Sequence, residues 1–224
     1  NQANSEFGIS IGSAGDVNGD GFSDVLIGAN SYDNGEINEG KTFAYYGSAL
    51  GLSLSPDWTF ECNLANAYLG WSAASAGDIN ADGFSDVIVG APYYSDKGRL
   101  YIFNGSETGL TSTPTSIIDG DQNGSAFGGY VATAGDVNGD GYSDIIAGAF
   151  LYSNNEYYEG RVYLYSGSPA GIKITPDWFV ESDQMYAKLG ISVSSAGDVN
   201  GDGYSDVIAG AFYLFALSCK MLFE

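Results

Sequence analysis

The chain has 224 residues, with 33 Gly, 17 Tyr and 12 Phe but only 7 Lys plus Arg, no His, and a formal net charge of −21. This acidic balance argues against nucleic acid and membrane surfaces as partners, and the missing His removes Ser-His-Asp and Cys-His mechanisms from within the chain. A hydrophobic content of 44% excludes a disordered chain.

In chain order, Phe7-Gly8 opens a short strand-like segment, and Ala14–Asp24 follows as AGDVNGDGFSD. Val25–Ala29 is a continuous β-branched run bounded by Gly, the pattern of a strand buried on both faces. Lys41–Tyr46 alternates, Gly47–Leu52 is a Gly-Ser turn, and Pro56-Asp57-Trp58 leads a fourth segment. The same order then recurs. Leu69-Gly70, Phe127-Gly128 and Leu189-Gly190 each precede a copy of the aspartate-rich string, at Ala76–Asp86, Ala134–Asp144 and Ala196–Asp206. Apolar runs follow at Val87–Ala91, Ile145–Ala149 and Val207–Ala211, and alternating segments at Arg99–Phe103 and Arg161–Tyr165.

The first Asp of the string falls at 16, 78, 136 and 198, a period of about sixty residues that signals a repeat architecture. Four strands per unit joined by tight turns predict an all-β fold, a β-propeller of four-stranded antiparallel blades. The repeats run over about 7–68, 69–126, 127–188 and 189–212 of one domain spanning 1–224, with 213–224 as an atypical apolar tail. Three units and part of a fourth predict a partial ring. Cys62 and Cys219 make neither a disulfide framework nor a zinc pair. No apolar run is long enough for a membrane helix. Residue 1 is Asn and no leader is visible, so the chain is expected to be processed or part of something longer.

The loops carry the chemistry. In the first, Asp16, Asn18, Asp20 and Asp24 place side-chain oxygens at positions 1, 3, 5 and 9, and the Phe22 carbonyl serves position 7. Gly21 at position 6 permits the sharp turn. The others repeat this with Asp78, Asn80, Asp82, Phe84 and Asp86; Asp136, Asn138, Asp140, Tyr142 and Asp144; and Asp198, Asn200, Asp202, Tyr204 and Asp206. Such a set suits Ca²⁺, which takes about six to eight oxygens at roughly 2.3–2.6 Å, better than the rigid octahedron of Mg²⁺. Asp, Asn and Gly also build metal-free turns. Twelve of the 28 acidic residues nevertheless lie in these loops, a density that calls for a cation, so up to four Ca²⁺ are expected. Position 12 is Ile27, Val89, Ala147 or Ala209, and strands flank each loop, so this is not an EF-hand. Ala81 replaces Gly19, Gly139 and Gly201 at position 4, which weakens the second site if that position needs positive φ.

Phe-Gly, a DxNxDGxxD loop and then Gly-Ala-Pro, intact at Gly90-Ala91-Pro92, resemble FG-GAP repeats, the units of the integrin α-subunit propeller. The resemblance implies a seven-bladed ring with Ca²⁺ between the first two strands of a blade, an extracellular or cell-surface location, and adhesion or recognition of a protein or glycan ligand. Similar calcium loops occur in secreted bacterial surface proteins and propeller lectins. A partial ring implies self-association or further chain to close it. A lectin reading draws on Trp58, Trp71, Trp178, Tyr93, Tyr94, Tyr157 and Tyr158, although blade packing explains them equally well. A carbohydrate-active enzyme would need a carboxylate pair. Asp57, Glu61, Asp177 and Glu181 are available, but they are expected on solvated outer strands.

Overall fold

The computed structural model describes residues 2–212 and 221–222. Its strands form successive antiparallel meanders. β1 (Phe7–Gly15), β2 (Asp24–Ala29), β3 (Lys41–Tyr45) and β4 (Trp58–Glu61) make the first sheet, in that spatial order. The second holds β5 (Ser72–Gly77), β6 (Asp86–Ala91), β7 (Arg99–Phe103) and β8 (Ser116–Asp119). The third holds β9 (Phe127–Gly135), β10 (Asp144–Ala149), β11 (Arg161–Tyr165) and β12 (Trp178–Glu181). In the fourth, β13 (Ser192–Gly197) and β14 (Asp206–Gly210) are joined by β15 (Met221–Leu222). That last pairing, Val207 with Leu222 and Ile208 with Met221, has no counterpart in the sequence reading, which placed no strand in the tail. The rest of that tail, 213–220 with Cys219 and 223–224, lies outside the described residues.

The sheets are blades of a β-propeller. The first strands of neighbouring blades, β1 with β5, β5 with β9 and β9 with β13, pack side by side along a common axis. The second strands are buried on both faces, as their unbroken apolar runs require: all six residues of β6 and of β10 are buried. Between blades one and two the core is Leu26, Val87, Val89 and Phe103, with Trp58 laid edge-on to Phe103.

Two sequence elements set the blade spacing. A Cβ added to Gly28 would lie 2.0 Å from the carbonyl oxygen of Gly70 in the next blade, and Gly90 faces Gly128, and Gly148 faces Gly190, at the same 2.0 Å. The Gly of each Gly-Ala element is therefore where one blade's second strand touches the backbone of the next blade's Phe-Gly or Leu-Gly. Beside it, single parallel bridges tie Gly40 to Leu69, Gly98 to Phe127 and Gly160 to Leu189. The bridges pair the backbones of Leu69, Phe127 and Leu189 with the preceding blade.

In a meander, connections alternate between the two ends of the blade. The β1–β2 loops and the β3–β4 turns therefore share one face of the propeller. The β2–β3 connections and the links between blades share the other.

Candidate metal centres

Each aspartate loop folds around its first carboxylate. Asp16 accepts the backbone N–H groups of Gly19 and Asp20 on Oδ1 (2.7 and 3.1 Å) and that of Gly21 on Oδ2 (2.8 Å). Asn18 Oδ1 accepts the Asp20 N–H at 3.1 Å, and Asp20 Oδ1 accepts the Phe22 N–H at 2.9 Å. The pattern recurs in the other loops, with Gly83, Gly141 and Gly203 each donating to their first Asp at 2.9 Å. Positions 1, 3 and 5 thus gather on one exposed turn. Position 6 has φ between 88° and 94° in all four loops, and position 4 is also left-handed: Gly19 at 71°, Gly139 at 73°, Gly201 at 77° and Ala81 at 57°. The condition set for the second loop is met, so Ala81 carries backbone strain its counterparts avoid.

The ninth-position Asp stands apart from that turn. Asp24, Asp86 and Asp144 are fully buried and Asp206 nearly so. Each staples its loop. Asp24 Oδ2 accepts the Val17 N–H at 2.9 Å, and its Oδ1 accepts that of Gly47, from the Gly-Ser turn, at 2.8 Å. Asp86 and Asp144 do the same with Ile79 and Gly105, and with Val137 and Gly167. Burial raises the Asp24 carboxyl and pushes those of Asp86 and Asp144 up to about 7 and about 6, and the first and fifth loop carboxylates add to the rise. In the fourth loop, the N–H groups donated by Gly203 and its neighbours hold Asp198 below the usual carboxylate range.

The donor set fits a hard cation. Each loop presents oxygens only, and the five ion pairs among the described residues involve none of the loop aspartates. An ionised carboxylate has about four lone-pair positions, so the ninth Asp can staple and still face an ion. The structure does not draw the three carboxylates of a loop into a tight group. Among the described residues, the close three-carboxylate group is Glu159, Glu181 and Asp183 on the opposite face. The sequence reading missed Glu159 and Asp183, and it placed Glu61 and Glu181 on solvated faces. Their side chains are in fact 15% and 11% exposed, paired with Lys41 and Arg161. The repeat held the signal: Glu39 and Glu159 occupy equivalent places two residues before those cations.

Neighbouring loops interlock through position 8. Ser85 donates its N–H to the Asp16 carbonyl, Ser143 to Asp78 and Ser205 to Asp136, each at 2.9 Å. The FG-GAP repeat model matches residues 7–48, 70–103, 128–165 and 189–213. The chain belongs to the FG-GAP repeat family. It is 33% identical over 189 residues to integrin alpha-5 of Xenopus laevis, covering 80% of this chain and 18% of that protein. Against integrin alpha pat-2 of Caenorhabditis briggsae it is 29% identical over 219 residues, or 88% of this chain and 17% of the relative. The phosphatidylinositol-glycan-specific phospholipase D of Rattus norvegicus is 34% identical over 175 residues, 72% of this chain and 20% of the enzyme. The chain thus spans about a fifth or less of these relatives. In this FG-GAP chain the Phe-Gly and Gly-Ala elements are the two sides of the blade contact, and the loops are its stacked face.

The aromatic candidates divide. Trp58 is core, donating Nε1–H to the Thr111 carbonyl at 2.9 Å, and Tyr94 lies under the Arg99 guanidinium. On the face opposite the loops, Trp71 and Tyr93 cluster edge-on with Tyr68, while Tyr157 stacks on Tyr158 at 3.8 Å and meets Tyr186 edge-on. No helix among the described residues is long and apolar enough to cross a membrane.

Proposed function

We propose that this FG-GAP segment is a calcium-stabilised scaffold for extracellular adhesion or ligand recognition, with Ca²⁺ held by the four DxNxDGxxD loops in a structural role. In this reading positions 1, 3, 5 and 9 supply side-chain oxygens and position 7 a carbonyl. The observation that carries it is the buried ninth-position carboxylate, set behind an exposed acidic turn with no Lys or Arg paired to either. An ion there would offset the desolvation of Asp24, Asp86 and Asp144 and tie loop to strand. The integrin relatives support the adhesion reading, and the opposite face, where tyrosines are exposed, is left free for a protein or glycan ligand. Tyr157 and Tyr186, 48% and 47% exposed, favour a lectin as the second reading. A glycan array with no hits would remove it. On this reading the repeated carboxylates serve the ion rather than catalysis, and the absence of His removes His-based mechanisms from within the chain.

Calcium removal tests the metal. An ion bound only by the native state adds about 2.7 kcal/mol at a hundred times its dissociation constant. Chelation should therefore lower the thermal midpoint by many degrees, with millimolar Ca²⁺ restoring it. An unchanged melt would remove the metal role.

A further inference from the structure

A second acidic site lies on the face away from the loops. Glu159 closes the β10–β11 connection, Glu181 ends β12, and Asp183 follows two residues later in a left-handed corner (φ 55°). One carboxylate oxygen from each lies within 4.8 Å of the other two. Three oxygens within that span share a point no more than about 2.8 Å from each, so a small side-chain adjustment brings all three to the roughly 2.3–2.6 Å of Ca²⁺ ligation.

Glu159 separates this group from ordinary surface acid. Its side chain is fully buried, Oε1 accepts the Asn154 N–H at 2.6 Å, and Oε2 is buried with no hydrogen-bond partner. A buried oxygen without a donor is costly unless something else satisfies it. Arg161 does not: its guanidinium bonds Glu181 and, at 3.1 Å, Asp121, and it stacks over the Tyr152 ring at 3.7 Å.

The first blade repeats the arrangement. Glu39 is buried, its Oε1 takes the Asn34 N–H, and its Oε2 is likewise unpartnered. There Asn63, at φ 51°, stands where blade three has Asp183. Blade two has exposed Lys97 in place of the buried Glu.

We propose that Glu159, Glu181 and Asp183 form a Ca²⁺ site on the face opposite the repeat loops, independent of those loops. All donors are oxygens, and water completes the shell. The site bridges a β2–β3-type connection of blade three to its link with blade four, and so fixes the cluster that those two connections carry, exposed Tyr157 and Tyr186 with half-buried Tyr158.

Counting bound Ca²⁺ by equilibrium dialysis on the full chain tests this. Asp183→Asn keeps the fold, since Asn63 occupies the equivalent corner at nearly the same φ. It and Glu159→Gln should each bind one ion fewer than wild type, or hold that ion at least tenfold more weakly. A variant with Asp16, Asp78, Asp136 and Asp198 all changed to Asn should retain one ion, lost on adding Asp183→Asn. Should that variant not fold, wild type against Asp183→Asn still decides. Equal counts and affinities in wild type, Glu159→Gln and Asp183→Asn would overturn the site. A wild type that binds a single ion, lost in Asp183→Asn, would instead overturn the loop reading and keep this one.

Discussion

Ala81 isolates what one methyl group does inside an aspartate loop. Every position 4 is left-handed, and the other three loops meet that demand with Gly. A non-glycine residue there costs roughly 1–2 kcal/mol, part of which Gly returns as unfolded-chain entropy. Ala81→Gly should therefore stabilise the calcium-loaded chain by about 1 kcal/mol in urea unfolding and tighten Ca²⁺ binding at the second loop. A loss of stability would mean that the Ala81 methyl makes contacts worth more than the strain. At this scale the sequence was informative wherever a residue acts within its own loop. The turn of each loop, the need for Gly at position 6 and the risk at Ala81 all follow from nine consecutive residues. The stapling of Asp24 to Gly47 was not legible, because it spans 23 residues and forms only once β2 and β3 are paired. The Glu159 group escaped for the same reason: its members become neighbours through the pairing of Arg161 with Glu181.

At the scale of the strand, the Gly-Ala element has a mechanical explanation. Relaxation of Gly-Ala-Pro to Gly-Ala-Asn or Gly-Ala-Phe is tolerated because the Gly is what touches the next blade. Gly90→Ala would drive a methyl to 2.0 Å from the Gly128 carbonyl, backbone against backbone, with no side chain able to yield. Overpacking of this kind costs about 1–3 kcal/mol and occasionally more, so Gly90→Ala should lower the urea midpoint clearly. Gly210→Ala is the control. Its nearest neighbour is the Ser192 hydroxyl, a side chain that can rotate away, so the change should be small. Equal losses at the two positions would show that the Gly is needed for something other than blade contact. The strands themselves were readable because their apolar runs and turns repeat at a fixed period. Met221–Leu222 was not, since nothing in its neighbourhood follows the repeat.

At the scale of the whole molecule, one face of the propeller segment is bare. Phe7, Ile9 and Ile11 on β1 are 53%, 49% and 70% exposed. The equivalents of Phe7 and Ile11 in the next blades, Leu69 with Ala73 and Phe127 with Val131, are buried because the preceding blade covers them. The same chemistry on blade one therefore offers a docking face for another blade, and in a solution of this chain alone the available blades belong to a second copy. Two forces oppose each other. Burying three large apolar side chains favours association, while a formal charge of −21 on each copy opposes it. Calcium held as proposed would lower that charge, and salt screens what remains. Association should accordingly be strongest with Ca²⁺ at physiological ionic strength and weakest with chelator at low salt. Sedimentation velocity over a concentration series should show the coefficient rising in the first condition, and Ile11→Lys should hold the chain monomeric at every concentration. A wild-type chain that stays a well-folded monomer throughout, calcium present, would mean that the bare face does not drive pairing between copies.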